Sequence, residues 1–141
     1  MRELKTDAEL KQAMDQARTI AVLGANPRTD RPAHYVPAYL LERGYRVIPV
    51  NAVHEGTEMF GEPVRASLDR IREPVEIVDV FRRPDALDGH LAEILAMDPR
   101  PAIVWLQEGI ANDAFAARLV AEGIHVVQSR CIKREHQRLI G

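Results

Sequence analysis

The sequence predicts an α/β fold, a mainly parallel five-stranded sheet with helices on both faces. Three observations lead there. Five short apolar runs, rich in Val and Ile, recur at 19–25, 46–50, 75–80, 102–106 and 124–128. Runs this continuous suit strands buried on both faces. The stretches between them carry helix caps and helix-length patterns, and such alternation implies right-handed crossovers between parallel strands. The first run, Thr19-Ile20-Ala21-Val22-Leu23, stops at Gly24-Ala25-Asn26, a tight turn that leads towards a helix. At 141 residues, without linker, repeat or low-complexity segment, the chain is expected to form a single domain over 1–141.

The elements follow in order. Thr6-Asp7-Ala8-Glu9 is a capping-box pattern, so a helix starts there and runs to about Gln16. Strand one is 19–25. Residues 26–33, Asn-Pro-Arg-Thr-Asp-Arg-Pro-Ala, read as a polar loop. A helix over 34–43 ends at Gly44, where a left-handed cap belongs. Strand two is 46–50, ending at Asn51; Pro49 within it lacks a donor and favours an interrupted ladder or a strand end. In 52–73, Gly56, Gly61 and Pro63 mark turns, with room for a short helix at 66–72.

Strand three is 75–80. Pro84 opens a helix that runs to Met97, and Asp98-Pro99-Arg100-Pro101 breaks it. Strand four is 102–106. Asn112 or Asp113 caps a helix ended by Gly123, strand five is 124–128, and the tail 131–140 has room for a further helical turn or two. The whole is a Rossmann-like three-layer sandwich. Strand order 3-2-1-4-5 is the first expectation, and the flavodoxin-like order 2-1-3-4-5 is its competitor.

Composition narrows the function. A net charge of −2 provides no global field for nucleic acid or anionic lipid, so any anion site is made locally. One cysteine, Cys131, allows no internal disulfide and fits a reducing compartment. Residues 1–18 read as a charged amphipathic segment rather than a signal peptide, and no apolar run nears the ~20 residues that span a bilayer. A cytoplasmic protein is the expectation.

Ligands of such sheets meet the carboxyl ends of the strands. There Gly24 lets a phosphate approach the backbone, or merely makes the turn, and Asn26 offers an amide donor. The full G-x-G-x-x-G fingerprint is absent. Arg28 and Arg31 could neutralise phosphates or stand as solvated surface groups; His34 could donate to a phosphate or cap its helix. Asn51 stands where NAD sites usually carry an acid for the ribose, which disfavours NAD. Phe81 with Arg82 and Arg83 could meet an adenine or a pantetheine and a phosphate, or be a core ring with exposed cations. Trp105 reads as core.

Gln107 and Glu108 share that edge, and the Gly109 turn admits a ligand or leads into the next helix. His34, His54, His90, His125 and His136 show no metal-ligand spacing, and neither a G-x-S-x-G elbow nor a phosphate-binding G-x-x-x-x-G-K-[ST] loop occurs. Asp69 and Asp79 read as structural. Cys131, between Arg130 and Lys133, is either a reactive thiol or a buried inert one.

Several stretches together resemble the small stand-alone CoA-binding proteins, the YccU-like family. That family is similar to the CoA-binding domain of the succinyl-CoA synthetase α subunit. They are Ile20-Ala21-Val22-Leu23-Gly24-Ala25-Asn26, Arg31-Pro32-Ala33-His34-Tyr35-Val36 and Gly44-Tyr45-Arg46-Val47-Ile48-Pro49-Val50-Asn51. Further along come Asp79-Val80-Phe81-Arg82, Val104-Trp105-Leu106-Gln107-Glu108-Gly109-Ile110 and Arg130-Cys131-Ile132-Lys133-Arg134-Glu135-His136.

The resemblance implies coenzyme A along the carboxyl edge of the sheet. Gly24, Ala25 and Asn26, with Pro27, Arg28, Arg31 and His34 in the same loop, would hold phosphate. Val50 and Asn51 would lie near the adenosine. Phe81 and Arg82 would line the groove, with Gln107 and Gly109 towards the pantetheine. Asn26 departs from a commoner serine and Ala52 from a commoner proline. The synthetase's ligase machinery sits in a further domain, so the resemblance implies binding of CoA or an acyl-CoA without catalysis, with no metal, nucleic acid or membrane as partner. The alternatives are an NAD(P)-linked oxidoreductase or an acyl-transfer component needing a partner subunit. A third is redox regulation through a mixed disulfide between Cys131 and the CoA thiol.

Overall fold

Five parallel strands form the central sheet of the computed structural model, which describes residues 1–141. They are β1 (Thr19–Leu23), β2 (Arg46–Val50), β3 (Ile77–Val80), β4 (Ile103–Leu106) and β5 (His125–Val127), each nearly continuous in its buried apolar residues. Helices α1 (Asp7–Gln16), α2 (Pro32–Glu42) and α5 (Ile132–Leu139) cover one face over Ile20, Val22 and Trp105. The other face, with Val78, Val80 and Leu106, lies under α3 (Leu91–Leu95) and α4 (Asp113–Ala121). The α/β Rossmann-like class is as the sequence implies.

The strand order is 2-1-3-4-5, the competitor rather than the first expectation. The reason is local. After β2 the chain does touch the outer edge of that strand, where a third Rossmann strand would run, through a single parallel bridge between Val50 and Arg65. Asn51 N–H donates to the Arg65 carbonyl at 2.9 Å, and Arg65 N–H donates to the Pro49 carbonyl at 3.0 Å. Around that bridge the chain forms a two-residue hairpin, Glu58–Met59 with Glu62–Pro63, and short 3₁₀ turns at Ala52–His54 and Leu68–Arg70 instead of a helix over 66–72. The run at 75–80 therefore pairs directly with β1. Counting Arg65 as a vestigial strand restores the Rossmann order.

Pro49 does not interrupt the ladder. Its backbone faces that outer edge, so the missing N–H leaves the β1–β2 pairing from Thr19–Arg46 to Leu23–Val50 intact. The second helix begins two residues earlier than the pattern suggests, because Pro32 occupies its first turn and needs no acceptor there. The stretch from Pro84 is a 3₁₀ helix to His90 and only then α3. The capping box is present: Thr6 Oγ1 accepts from Glu9 N–H, and the Glu9 carboxylate accepts from Thr6 and Lys5 N–H. These donors hold the Glu9 carboxyl down to about 2.

Candidate functional site at the carboxyl edge

Two cavities open along the carboxyl edge, with Arg82 lining both. The larger, about 480 Å³, lies between the start of α2, the loops after β3 and β4, and the start of α5. Its lining includes Pro32, Tyr35, Phe81, Gln107, Gly109 and Cys131. That volume is in the range of small-molecule sites. The smaller, about 150 Å³, is lined by Gly24, Val50, Asn51, His90 and Glu93 among others.

Seven candidates thus meet cavities: Gly24, Val50 and Asn51 at one, Phe81, Gln107 and Gly109 at the other, and Arg82 at both. Ala25, Asn26, Pro27, Arg28, Arg31 and His34 line neither. Their polar groups brace the loop. Asn26 Oδ1 accepts from Arg28 N–H at 2.8 Å, and Asn26 N–H reaches the Ala33 carbonyl at 3.3 Å. His34 Nδ1 donates to the Asn26 carbonyl at 2.8 Å while its ring lies against Phe60. The His34 side chain therefore ties down the loop and does not cap the helix; Arg31 occupies the cap position, without a side-chain hydrogen bond. Arg28 pairs with Asp30 at 3.3 Å on the surface.

Gly24 is required for packing. Its φ is +92°, and a Cβ there would stand 2.6 Å from the Phe81 carbonyl oxygen. The turn is thus pressed against the end of β3, and Gly24 N–H is bonded to the Val50 carbonyl at 2.9 Å. Gly109 contrasts with it: φ is +85°, and nothing lies within 4 Å of where a Cβ would be. The Asn51 amide is also engaged, donating to the Ala25 carbonyl at 2.9 Å and accepting from Val53 N–H at 3.0 Å.

What the edge leaves open is a set of donors. The N–H groups of Ala33, Arg82 and Glu108 make no hydrogen bond within the protein; that of Ala25 makes none either, but the residue is fully buried. Arg82 Nε donates to His90 Nε2 at 3.3 Å, while its terminal guanidinium nitrogens stay unpaired. His90 in turn donates through Nδ1 to Glu93, whose other oxygen accepts from Leu68 N–H at 2.7 Å. The sequence offered no signal for this chain, since His90 and Glu93 lie three residues apart in what reads as an ordinary helix. Arg134 was also missed as a lining residue; it stands one turn into α5, paired with Glu108 across the groove.

Gln107 is 5% exposed, and its Oε1 accepts from Ile132 N–H at 3.1 Å, tying β4 to the start of α5. Below the groove lies Asp79, fully buried on β3 between Val22 and Trp105, with neither oxygen hydrogen-bonded. Burial pushes its carboxyl well above the usual carboxylate range, which favours the neutral acid. Trp105 is core, as expected, donating Nε1–H to the Arg130 carbonyl at 2.8 Å. No group of three or more His, Cys, Asp or Glu side chains is placed to hold a metal, and no helix is long and apolar enough to cross a membrane.

Comparison with known proteins gives this edge a context. The family model described as "CoA binding domain" matches residues 18–137. The uncharacterized protein YneT of Bacillus subtilis (strain 168) is 36% identical over 129 residues, which is 92% of this chain and 93% of YneT. A Thermus thermophilus protein solved as cell-free ID.343 superimposes with a TM-score of 0.92 at 53% identity, over 96% of this chain and 100% of that one. A hypothetical protein from Pyrococcus horikoshii OT3 superimposes with a TM-score of 0.88 at 32% identity, over the whole of both chains.

Proposed function

This chain belongs to the CoA binding domain family, and from that footing we propose that it binds coenzyme A or an acyl-CoA along the carboxyl edge of its sheet. We read it as a small cytoplasmic binding protein without catalysis of its own. The observation that carries the reading is the set of unpaired donors at two adjoining cavities, with the free terminal nitrogens of the Arg82 guanidinium where they meet.

The chemistry matches the ligand part by part. A diphosphate needs donors that cost little to bring together, and main-chain N–H groups at a helix start are already in place. Ala33 supplies one at the start of α2, and the Arg82 guanidinium adds charge-assisted bonds. Ala25, Asn26, Pro27, Arg28, Arg31 and His34 shape the loop that leads to that amide. Val50 and Asn51 border the smaller cavity, which suits the adenosine end. The larger groove, with Phe81, Gln107 and Gly109, suits a pantetheine arm, which is part apolar and carries amide acceptors. Asn51 has no carboxylate for a ribose diol and already holds two internal hydrogen bonds, so nothing favours the NAD(P)-linked alternative.

The test is calorimetry and thermal shift with CoA, acetyl-CoA, NAD, NADP and ATP. CoA at 100 times its dissociation constant should stabilise the fold by about 2.7 kcal/mol. A response to NAD with none to any CoA species overturns the proposal.

A further inference from the structure

We propose that Cys131 forms a reversible disulfide with the thiol of coenzyme A, so that the groove can hold the cofactor covalently. The inference rests on the reading of this groove as a CoA site. Cys131 is half-buried and lines the larger cavity with Phe81, Gln107 and Gly109. It occupies the cap position of α5, yet its side chain makes no capping hydrogen bond. The thiol therefore packs beside the core without capping the helix. It is also the only cysteine in the chain, so a disulfide partner must come from outside.

A second observation in the same cavity describes that partner. Gln107 is 95% buried by its 5% exposure. The bond from Ile132 N–H to Oε1 fixes which way its amide faces, and leaves the NH₂ group without a partner in the protein. The side chain is enclosed except where this NH₂ group reaches the groove, and there it can donate to a carbonyl or hydroxyl acceptor of a ligand. A pantetheine arm carries two amide carbonyls and ends in a thiol. The groove thus pairs a donor for the arm with a sulfur for its end.

Charge selects among thiols. Arg82, Arg83 and Arg134 line the groove, against one acid, Glu108, which Arg134 already pairs. A disulfide bearing several phosphates is favoured there over a peptide disulfide such as oxidised glutathione. The oxidant is CoA disulfide. The Cys131 thiolate, its proton released to solvent, attacks one sulfur of CoA–S–S–CoA. A Cys131–S–S–CoA bond forms, the original S–S bond breaks, and the departing CoA thiolate takes a proton from solvent. Reduced CoA or another thiol reverses the step.

The experiment compares CoA disulfide with oxidised glutathione at equal concentration, read by intact mass over time and alongside CoA calorimetry. The expected result is one CoA adduct on the wild type, formed at least tenfold faster than the glutathione adduct. It should be slowed by CoA analogues lacking the thiol, removed by reductant and absent in Cys131→Ser. That variant should still bind CoA. If the wild type binds CoA but both disulfides react at one rate, or neither reacts, the covalent proposal fails while the binding reading stands. If CoA does not bind at all, the binding reading fails and the covalent proposal with it.

Discussion

The two edges of the sheet are built on opposite plans. At the amino edge several groups answer one another. The Glu76 carboxylate accepts from Arg18 and Thr19 N–H at 2.7 and 2.8 Å. Arg46, at the first position of β2, is held by Glu62 and Glu73, with Arg65 joining the network. These acids push the Arg46 guanidinium pKa upward. Tyr45 donates to the Met14 carbonyl at 2.6 Å. At the carboxyl edge, amides and the terminal nitrogens of the Arg82 guanidinium lack internal partners, and two cavities open beside them. Both edges are rich in arginine and polar side chains. What separates the groups named at each edge is whether their donors are already answered, and that is a better guide to a ligand than polarity.

Substitutions can break or sharpen this contrast. The largest effect is expected at Gly24, where the two roles of the carboxyl edge meet. Gly24→Val forces a Cβ into the Phe81 carbonyl and a β-branched residue into positive φ, and should cost about 3 kcal/mol or more in urea unfolding. Gly109→Ala has space for its methyl and should cost only about 1 kcal/mol. Equal stabilities would mean that the β1 turn is not packed as described.

Asp79 tests the core beneath the groove. Its folded pKa is raised, so between the unfolded value and the folded one the native state holds a proton that the unfolded chain has lost. Its contribution to stability therefore falls as pH rises, by about 1.4 kcal/mol per pH unit through that window. Asp79→Asn should remove this slope, and its stability relative to wild type should grow as pH rises above the unfolded carboxyl value. A difference independent of pH would mean that the carboxyl is ionised in the fold.

The smallest effects separate the edges most cleanly. Arg82→Ala should weaken CoA binding about tenfold and change stability by less than about 0.5 kcal/mol. Arg46→Ala should do the reverse, leaving CoA affinity unchanged and costing about 1 kcal/mol at most, because its ion pairs are half exposed. Swapped outcomes would place the ligand at the amino edge.

Much of this was legible in the sequence because buried parallel strands read as continuous apolar runs, and all five were found within about two residues. The strand order was not, since it turns on one bridge at Arg65 inside a stretch dominated by turn residues. The cavity residues close to strand ends, such as Phe81, Arg82 and Gln107, could be read from strand position alone. Residues 26–34 could not be sorted that way. A polar side chain facing a ligand and one bracing its own loop have the same composition, and only the hydrogen bond from His34 to the Asn26 carbonyl separates them. Arg134 and His90 reach the edge from helices, where no spacing announces them.

The most direct measurement is amide chemical-shift mapping by NMR as CoA is added. The account predicts the largest changes at Ala33, Arg82 and Glu108, with the amides of Arg18, Thr19 and Arg46 unmoved. Changes centred on the amino edge, or spread evenly over the protein, would contradict it.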